Sequence, residues 1–253
     1  MTNQPAPSPE GFLRNASERE ATEIYAQAYE QSADSTTTKL AHVVKYIRRQ
    51  DLTRLLARYE IFKKVLKVKG SIIECGVFRG SGLMSWANFS AILEPNNLTR
   101  RIYGFDSFEG FPKIGSEDAS NFRTAQKGEL RSDCFQELTE LIRAYDLNRF
   151  LGHIPKVELI RGDAVETIPA FVKRNPHLLA SLLFMDFDLF DPTKVALEHF
   201  LPRMPKGAVL SFDELDNPVL PCETLAMLKS LTINQYKFQR LVFDPYIAFG
   251  VLE

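Results

Sequence analysis

Cysteine is scarce in this chain. Its three, Cys75, Cys134 and Cys222, are scattered and fall outside any Cys-x-x-Cys spacing. That excludes a disulfide framework and a cysteine-based zinc site, and reads as reduced thiols in a cytoplasmic protein. No sign of charge predominates: 31 basic residues face 32 acidic ones. Bulk attraction to nucleic acid or to an anionic membrane is therefore not expected. No apolar run approaches the roughly 18 residues of a membrane span. The opening MTNQPAPSPEGF lacks the basic start and apolar core of a signal peptide. Internal repeats at solenoid periods are also missing.

What is present is an ordinary globular composition, 45% hydrophobic and 25% charged over 253 residues, which suits one domain with a substantial core. Residues 1–16 are rich in Pro, Ser and Asn and read as a mobile arm. Residues 17–69 are helical in period. The break at SADSTTT places Ser35 or a nearby Thr as the next helix cap, and Leu40, Val43, Val44 and Ile47 follow an i, i+3, i+4, i+7 stripe. From residue 70 the pattern changes. Short apolar runs at SIIECGV, RIYGFD, KVELIRG, ASLLFMDFD and GAVLSFDE alternate with helical stretches near 81–93, 131–147, 163–175 and 192–203. Repeated strand–helix–strand units predict a parallel sheet with helices on both faces. KFQRLVF and YIAFGVLE, joined by Asp-Pro, predict a closing antiparallel hairpin.

Ligands of such a sheet bind beyond the carboxyl ends of its strands, so the residues that follow each run carry the functional signal. The first run leads into Glu74, Gly76, Phe78, Arg79, Gly80 and Ser81. These glycines permit a tight turn, and the next helix offers unpaired N–H groups to a ligand carboxylate. The spacing is G-x-x-x-G-x-G rather than the dinucleotide G-x-G-x-x-G, and such a loop can also serve only to pack a helix on its strand. The second run ends in Asp106, suited to ribose hydroxyls or to capping a turn. Gly162 and Asp163 follow the third, where Asp163 can accept from an adenine amino group, cap the next helix, or do both. The fourth, LLFMDFDLFDPT, carries Asp186, Asp188 and Asp191, with Asp186 and Asp188 on one side if the strand continues. The fifth ends in Asp213 and Glu214. Adjacent strands would bring these acids together at a cost in stability that a divalent cation would offset, with an oxygen donor set suited to Mg²⁺ or Ca²⁺. Pairing with Lys194, Arg203 or Lys206, or helix capping, is the alternative. Asp191, next to Pro192, reads as the cap of the following helix.

ECGVFRGSG, GFDSFEGFP, VELIRGDAVETIP and MDFDLFDPT followed by SFDEL, taken in this order, resemble the macrocin O-methyltransferase family of class I S-adenosylmethionine-dependent methyltransferases. The resemblance covers roughly residues 60 to 230. It implies an α/β fold, a Rossmann-like, doubly wound, mostly parallel seven-stranded sheet with a C-terminal antiparallel hairpin and an N-terminal helical extension. On this reading residues 17–253 form a single domain, with helices over 17–69 and the core over 70–253. The resemblance further implies an S-adenosylmethionine (AdoMet) pocket near Glu74, Gly76, Phe78, Arg79, Ser81, Asp106, Ser107, Gly162, Asp163 and Asp186. It implies Mg²⁺ held by Asp186, Asp213 and Glu214, and it places Asp188 at the position of the general base. Two departures stand out. The family commonly reads Asp-Gly-Asp where this chain has Asp186-Phe187-Asp188, and Asp-Asp where it has Asp213-Glu214.

The resemblance implies an enzyme that methylates a sugar hydroxyl on a nucleotide-deoxysugar, a glycosylated natural product or a polysaccharide. Methyl transfer to an alcohol is an in-line displacement helped by a nearby base or metal. The expected partner is this small-molecule acceptor rather than nucleic acid or membrane, with the N-terminal helices available to mediate a homodimer or higher homo-oligomer. Residues 107–130, long and polar, read as a lid closing together with the N-terminal helices, or as an inert insertion. His42, His153, His177 and His199 suit surface or packing roles. Phe108 and Phe111 can flank a ligand or join the core. An NAD-dependent oxidoreductase would share the sheet and the ribose acid, but the missing fingerprint and the acidic strand ends oppose it. The same fold could also serve a metal-dependent hydroxylase-like relative, a methyltransferase for non-sugar small molecules, or a non-catalytic partner protein.

Overall fold

A computed structural model describes residues 15–253. The arm over 1–16 lies outside the described residues apart from Asn15 and Ala16, which open the first helix. The chain divides into two compact units, residues 1–56 and 57–253.

The first unit holds α1 (Ala16–Gln31), α2 (Thr36–Ala41) and the start of α3 (Arg49–Val65). Asn15 and Glu18 close a capping box on α1, satisfying two of the backbone N–H groups that every helix start leaves orphaned. Ser35 caps α2 by accepting from the Thr38 N–H, as the SADSTTT break predicts. Tyr29 and Tyr46 meet edge to face at 5.0 Å, and Lys45 pairs with Asp34 at 3.0 Å.

The second unit is the α/β body. In chain order it runs β1 (Ser71–Cys75), α4 (Ser81–Leu93), β2 (Ile102–Asp106), α5 (Phe135–Leu147), β3 (Val157–Arg161), α6 (Ala164–Arg174), β4 (Ala180–Met185), α7 (Phe190–Phe200), β5 (Val209–Phe212), α8 (Cys222–Ser230), β6 (Gln239–Arg240) and β7 (Ala248–Val251). The seven strands lie in the order β3-β2-β1-β4-β5-β7-β6. The pairs from β3 through β5 are parallel, and β7 runs antiparallel to both β5 and β6. The predicted closing hairpin is therefore present. The chain steps outward from β1 to β3, then returns to place β4 on the other side of β1. That reversal creates a crevice between β1 and β4, where open α/β sheets bind ligands.

Period-two alternation sends residues of the parallel strands to two buried faces. Ile73, Cys75, Phe105, Leu183, Met185, Leu210 and Phe212 face one core, which also contains Phe171, Leu197, Phe200 and Met227 from α6, α7 and α8. On the other side, α3 contributes Phe62 and α4 contributes Trp86 and Phe89. Phe62 stacks on Trp86 at 6.5 Å, and Trp86 meets Phe184 of β4 at 5.5 Å. Truncating a fully buried aromatic of this kind typically costs about 3–5 kcal/mol.

The structure corrects two sequence expectations. Strand β4 stops at Met185 instead of running on through Asp188. The cause is local: Asp188 has φ 56°, a left-handed conformation that breaks extended alternation and turns the chain into α7. Asp191 does not cap α7. The helix begins at Phe190 with Leu189 in the cap position, so Asp191 lies in the first turn, where its charge still suits the helix dipole.

Candidate functional site

The acids and glycines that end the strands in sequence lie along the carboxyl edge of the sheet, except that the Glu74 side chain points back into the body. The loop after β1 fits the crevice closely. Gly76 has φ 98°, and a Cβ there would overlap the backbone carbonyl oxygen of Asp186, so β1 and β4 approach within the space only glycine leaves. Backbone bonds hold the two ends together, Asp186 N–H donating to the Cys75 carbonyl at 2.7 Å. Gly80, at φ 84°, opens α4 with no side chain capping its first N–H groups. Such a helix start presents donors and a partial positive charge to an anionic group. Phe78 and Arg79 stand outward beside it, with the guanidinium 5.3 Å from the ring, and Ser81 is exposed in the first turn.

Asp106 organises this loop. Its Oδ2 accepts from the Val77 and Phe78 N–H groups at 2.9 and 2.7 Å, and its Oδ1 accepts from Phe108 N–H at 2.6 Å. Three charged hydrogen bonds from backbone donors make a rigid turn before any ligand arrives. Ser107 continues it, donating to the Gly110 carbonyl at 2.7 Å. Next along the edge, Gly162 N–H donates to the Asp106 carbonyl at 2.9 Å, and Asp163 caps α6 by accepting from Val165 N–H at 3.0 Å. Of the two uses open to Asp163, capping is the one the geometry displays. Phe108 and Phe111 are both buried, Phe108 against Phe135 at 5.2 Å and Phe111 in a cluster with Ala125 and Leu189.

Glu74 is 1% exposed. Its Oε1 accepts from the Trp86 indole N–H at 3.3 Å, while Oε2 is buried without a hydrogen-bond partner. Burial pushes its carboxyl up to about 8, against the pull of the Arg58 guanidinium and the Trp86 hydrogen bond. Glu74 thus packs behind the glycine loop against α3 and α4.

The acids after β4 and β5 separate by direction. Asp186 faces Arg58 across 3.7 Å, and Arg58 also lies over the Phe184 ring at 5.0 Å. The charge of Asp188 acts on Glu223 and Cys222 of α8. Asp213 and Glu214 are buried at the end of β5. Glu214 accepts from the Asn217 amide at 2.8 Å and donates its own N–H to Glu223 Oε2 at 3.3 Å.

Glu223 is the member that sequence reasoning missed. It is 2% exposed, with Oε1 lacking a partner. Burial first, then the charges of Asp188 and Asp213, push its carboxyl well above the ordinary range. The Cys222 thiol beside it is pushed up to about 12, chiefly by burial and the nearby Asp118, which disfavours the thiolate. Nothing in the run PCETLAMLKS marks Glu223 as more than a first-turn helix acid.

The resemblance implies a magnesium ion on Asp186, Asp213 and Glu214. As placed, Asp186 turns to Arg58 and Glu214 to Asn217, and among the described residues no group of three or more His, Cys, Asp or Glu side chains is arranged to hold an ion. The donors do not fit the ion in this arrangement. No described helix is long and apolar enough to cross a membrane.

Comparison with known proteins places this geometry among its relatives. Residues 8–230 match the family model described as Macrocin-O-methyltransferase (TylF). The 8-demethyl-8-(2,3-dimethoxy-alpha-L-rhamnosyl)-tetracenomycin-C 4'-O-methyltransferase of Streptomyces olivaceus is 28% identical over 148 residues, 58% of this chain and 53% of that protein. Mycinamicin III 3''-O-methyltransferase of Micromonospora griseorubida is 28% identical over 155 residues, 58% of this chain and 56% of that protein. The chain thus spans about half the length of the curated relatives it matches. Among solved structures, CalS11, a calicheamicin methyltransferase, aligns with a TM-score of 0.90 and 32% identity, covering 99% of each chain. NovP, an O-methyltransferase, shares the fold at a TM-score of 0.62 and 20% identity, over 79% of this chain and 80% of its own.

Proposed function

The chain belongs to the macrocin O-methyltransferase family, and from that premise we propose that it transfers a methyl group from AdoMet to a hydroxyl of a sugar. The observation that carries this reading is the crevice between β1 and β4. There the glycine loop, braced by Asp106, and the uncapped start of α4 lie at the same strand ends as Asp188. The names of the relatives agree in kind: one is a 4'-O-methyltransferase of a rhamnosyl-tetracenomycin, one a mycinamicin III 3''-O-methyltransferase, and CalS11 is also described as a TDP-rhamnose 3'-O-methyltransferase. A nucleotide-linked deoxysugar is accordingly the first acceptor to test.

The cradle fits AdoMet at the uncapped start of α4, where the first-turn N–H groups after Gly80 can receive a carboxylate. When bound, AdoMet supplies an electrophilic methyl group on a sulfonium. The chain supplies orientation and proton management. The α4 N-terminus and the Val77–Phe78 turn orient the methyl donor. Asp106 commits three of its acceptor sites to the loop, and a carboxylate offers about four in all, which leaves room for a ribose hydroxyl. Asp188 accepts the proton of the acceptor hydroxyl as that oxygen attacks in line.

The test pairs calorimetry with turnover. The protein should bind AdoMet and methylate a TDP-deoxysugar, and Asp188→Asn should lower turnover by about 10²–10⁴-fold, the usual contribution of a general base, while sparing AdoMet binding. Absence of AdoMet binding would overturn the reading, and full activity of Asp188→Asn would remove the role assigned to that residue.

A further inference from the structure

The segment read from sequence as a lid is tied into the turn that carries Asp188. Residues 107–130 contain a 3-10 turn, Ser116–Asp118, and an isolated antiparallel bridge between Ala119 and Thr124. Asp118 is 4% exposed. Its Oδ1 accepts from Phe190 N–H at 2.7 Å, and its Oδ2 accepts from Gly115 N–H at 2.6 Å. Phe190 is the first residue of α7 and lies two positions after Asp188. Leu189, in the cap position, makes no side-chain cap bond, so a carboxylate from 72 residues away takes over that task. Its charge also suits the dipole at this helix start.

Further contacts converge on the same turn. Leu189 packs with Phe111 and Ala125 of the loop, and Cys222 lies near the Asp118 carboxylate, whose charge helps raise its thiol. Farther out, Ser120 Oγ donates to the Val219 carbonyl at 3.0 Å, and Lys229 pairs with Glu117 at 2.9 Å. The turn itself needs the contacts made by Asp118 and Leu189. Asp188 sits at φ 56° without being glycine, a conformation that costs on the order of 1–3 kcal/mol and persists only where its surroundings impose it.

We propose that Asp118 is a positioning residue for Asp188: by capping Phe190 from the long loop it holds the left-handed Asp188–Leu189 turn, so that the ordered state of this loop sets the aim of the base. This rests on the reading of Asp188 as the base. A loop that acted only as a cover would have no reason to cap the helix that follows the base.

Asp118→Ala should lower kcat by about tenfold to a hundredfold, the effect expected of losing a hydrogen bond to a charged group, with AdoMet affinity and acceptor KM unchanged. Asp118→Asn keeps an acceptor oxygen for Phe190 and should recover most of the loss. Glu117→Gln breaks the neighbouring ion pair with Lys229 and should leave kcat unchanged. If Asp118→Ala does not fold, Asp118→Glu replaces it: the charge stays, the oxygen moves by one methylene, and kcat should fall by about tenfold, since misplacement near 1 Å can cost up to about a hundredfold. Full kcat in these Asp118 variants alongside an inactive Asp188→Asn overturns this proposal and leaves the base reading standing. An active Asp188→Asn removes both. Equal losses in Glu117→Gln and Asp118→Ala also overturn it, because general anchoring of the loop would then account for the effect.

Discussion

Replacing Glu74 by glutamine tests a physical claim about the buried end of β1. Burial raises the Glu74 carboxyl from an ordinary 4.5 to about 8, and the Arg58 guanidinium and the Trp86 indole only partly oppose it. The shift is upward, so between those two values the folded chain holds a proton that the unfolded chain releases. Stability from this group is fully present below about pH 4.5 and is lost as pH rises toward about 8. At about 1.4 kcal/mol per pH unit where the two states differ by a full proton, and less near each end of the range, the loss between about pH 5 and 8 comes to about 3.5 kcal/mol. Glutamine keeps the shape and an acceptor for Trp86 but has no proton to release, so the stability of Glu74→Gln should depend on pH less steeply by that amount. Glu223, also raised by burial, acts in the same direction in both proteins and cancels in the comparison. Urea unfolding followed through Trp86, the only tryptophan of the chain, gives both curves. Parallel curves would falsify the claim that Glu74 is protonated in the fold. The same variant should bind AdoMet with unchanged affinity, since the side chain lies behind the loop.

Two further outcomes follow from the crevice. Gly76→Ala puts a Cβ into the Asp186 carbonyl at φ 98°. It should destabilise the protein by about 3 kcal/mol or more and lower Tm by about 5–10 °C, and an unchanged melting curve would show that β1 and β4 can separate at little cost. Asp106→Asn loses the charge and at least one of the three N–H bonds to Val77, Phe78 and Phe108. AdoMet affinity measured by calorimetry should fall by about tenfold to a hundredfold, whereas an affinity equal to that of the unsubstituted chain would count against the loop as cradle.

Strand identities were legible because each parallel strand is a short apolar run ended by a polar turn, and the acids at Asp106, Asp163, Asp186, Asp188, Asp213 and Glu214 mark those ends in the chain itself. The direction of each side chain was not. Alternation along β4 predicted Asp186 and Asp188 side by side. One left-handed residue cancels that alternation: Asp186 faces Arg58, while the charge of Asp188 acts on Glu223 of α8. Glu74 illustrates the same limit: it sits where the motif places a ligand contact, but strand parity aims it at Trp86. Glu223 and Asp118 were invisible for another reason. Their roles depend on contacts with residues 9 and 72 positions away, which no local period encodes. The loop over 107–130 looked weakly patterned because its apolar anchors, Phe111 and Ala125, pair with Leu189 rather than with each other in any regular spacing.

The left-handed backbone at Asp188 also decides which replacement can be interpreted. Asparagine tolerates that conformation nearly as well as aspartate, so Asp188→Asn changes the chemistry and leaves the turn in place. Alanine would add backbone strain to the loss of the carboxylate, and a β-branched residue would add more. Glycine would relieve the strain and free the turn to wander. Kinetics from those three would mix a missing base with a moved one, and only the asparagine variant would separate them.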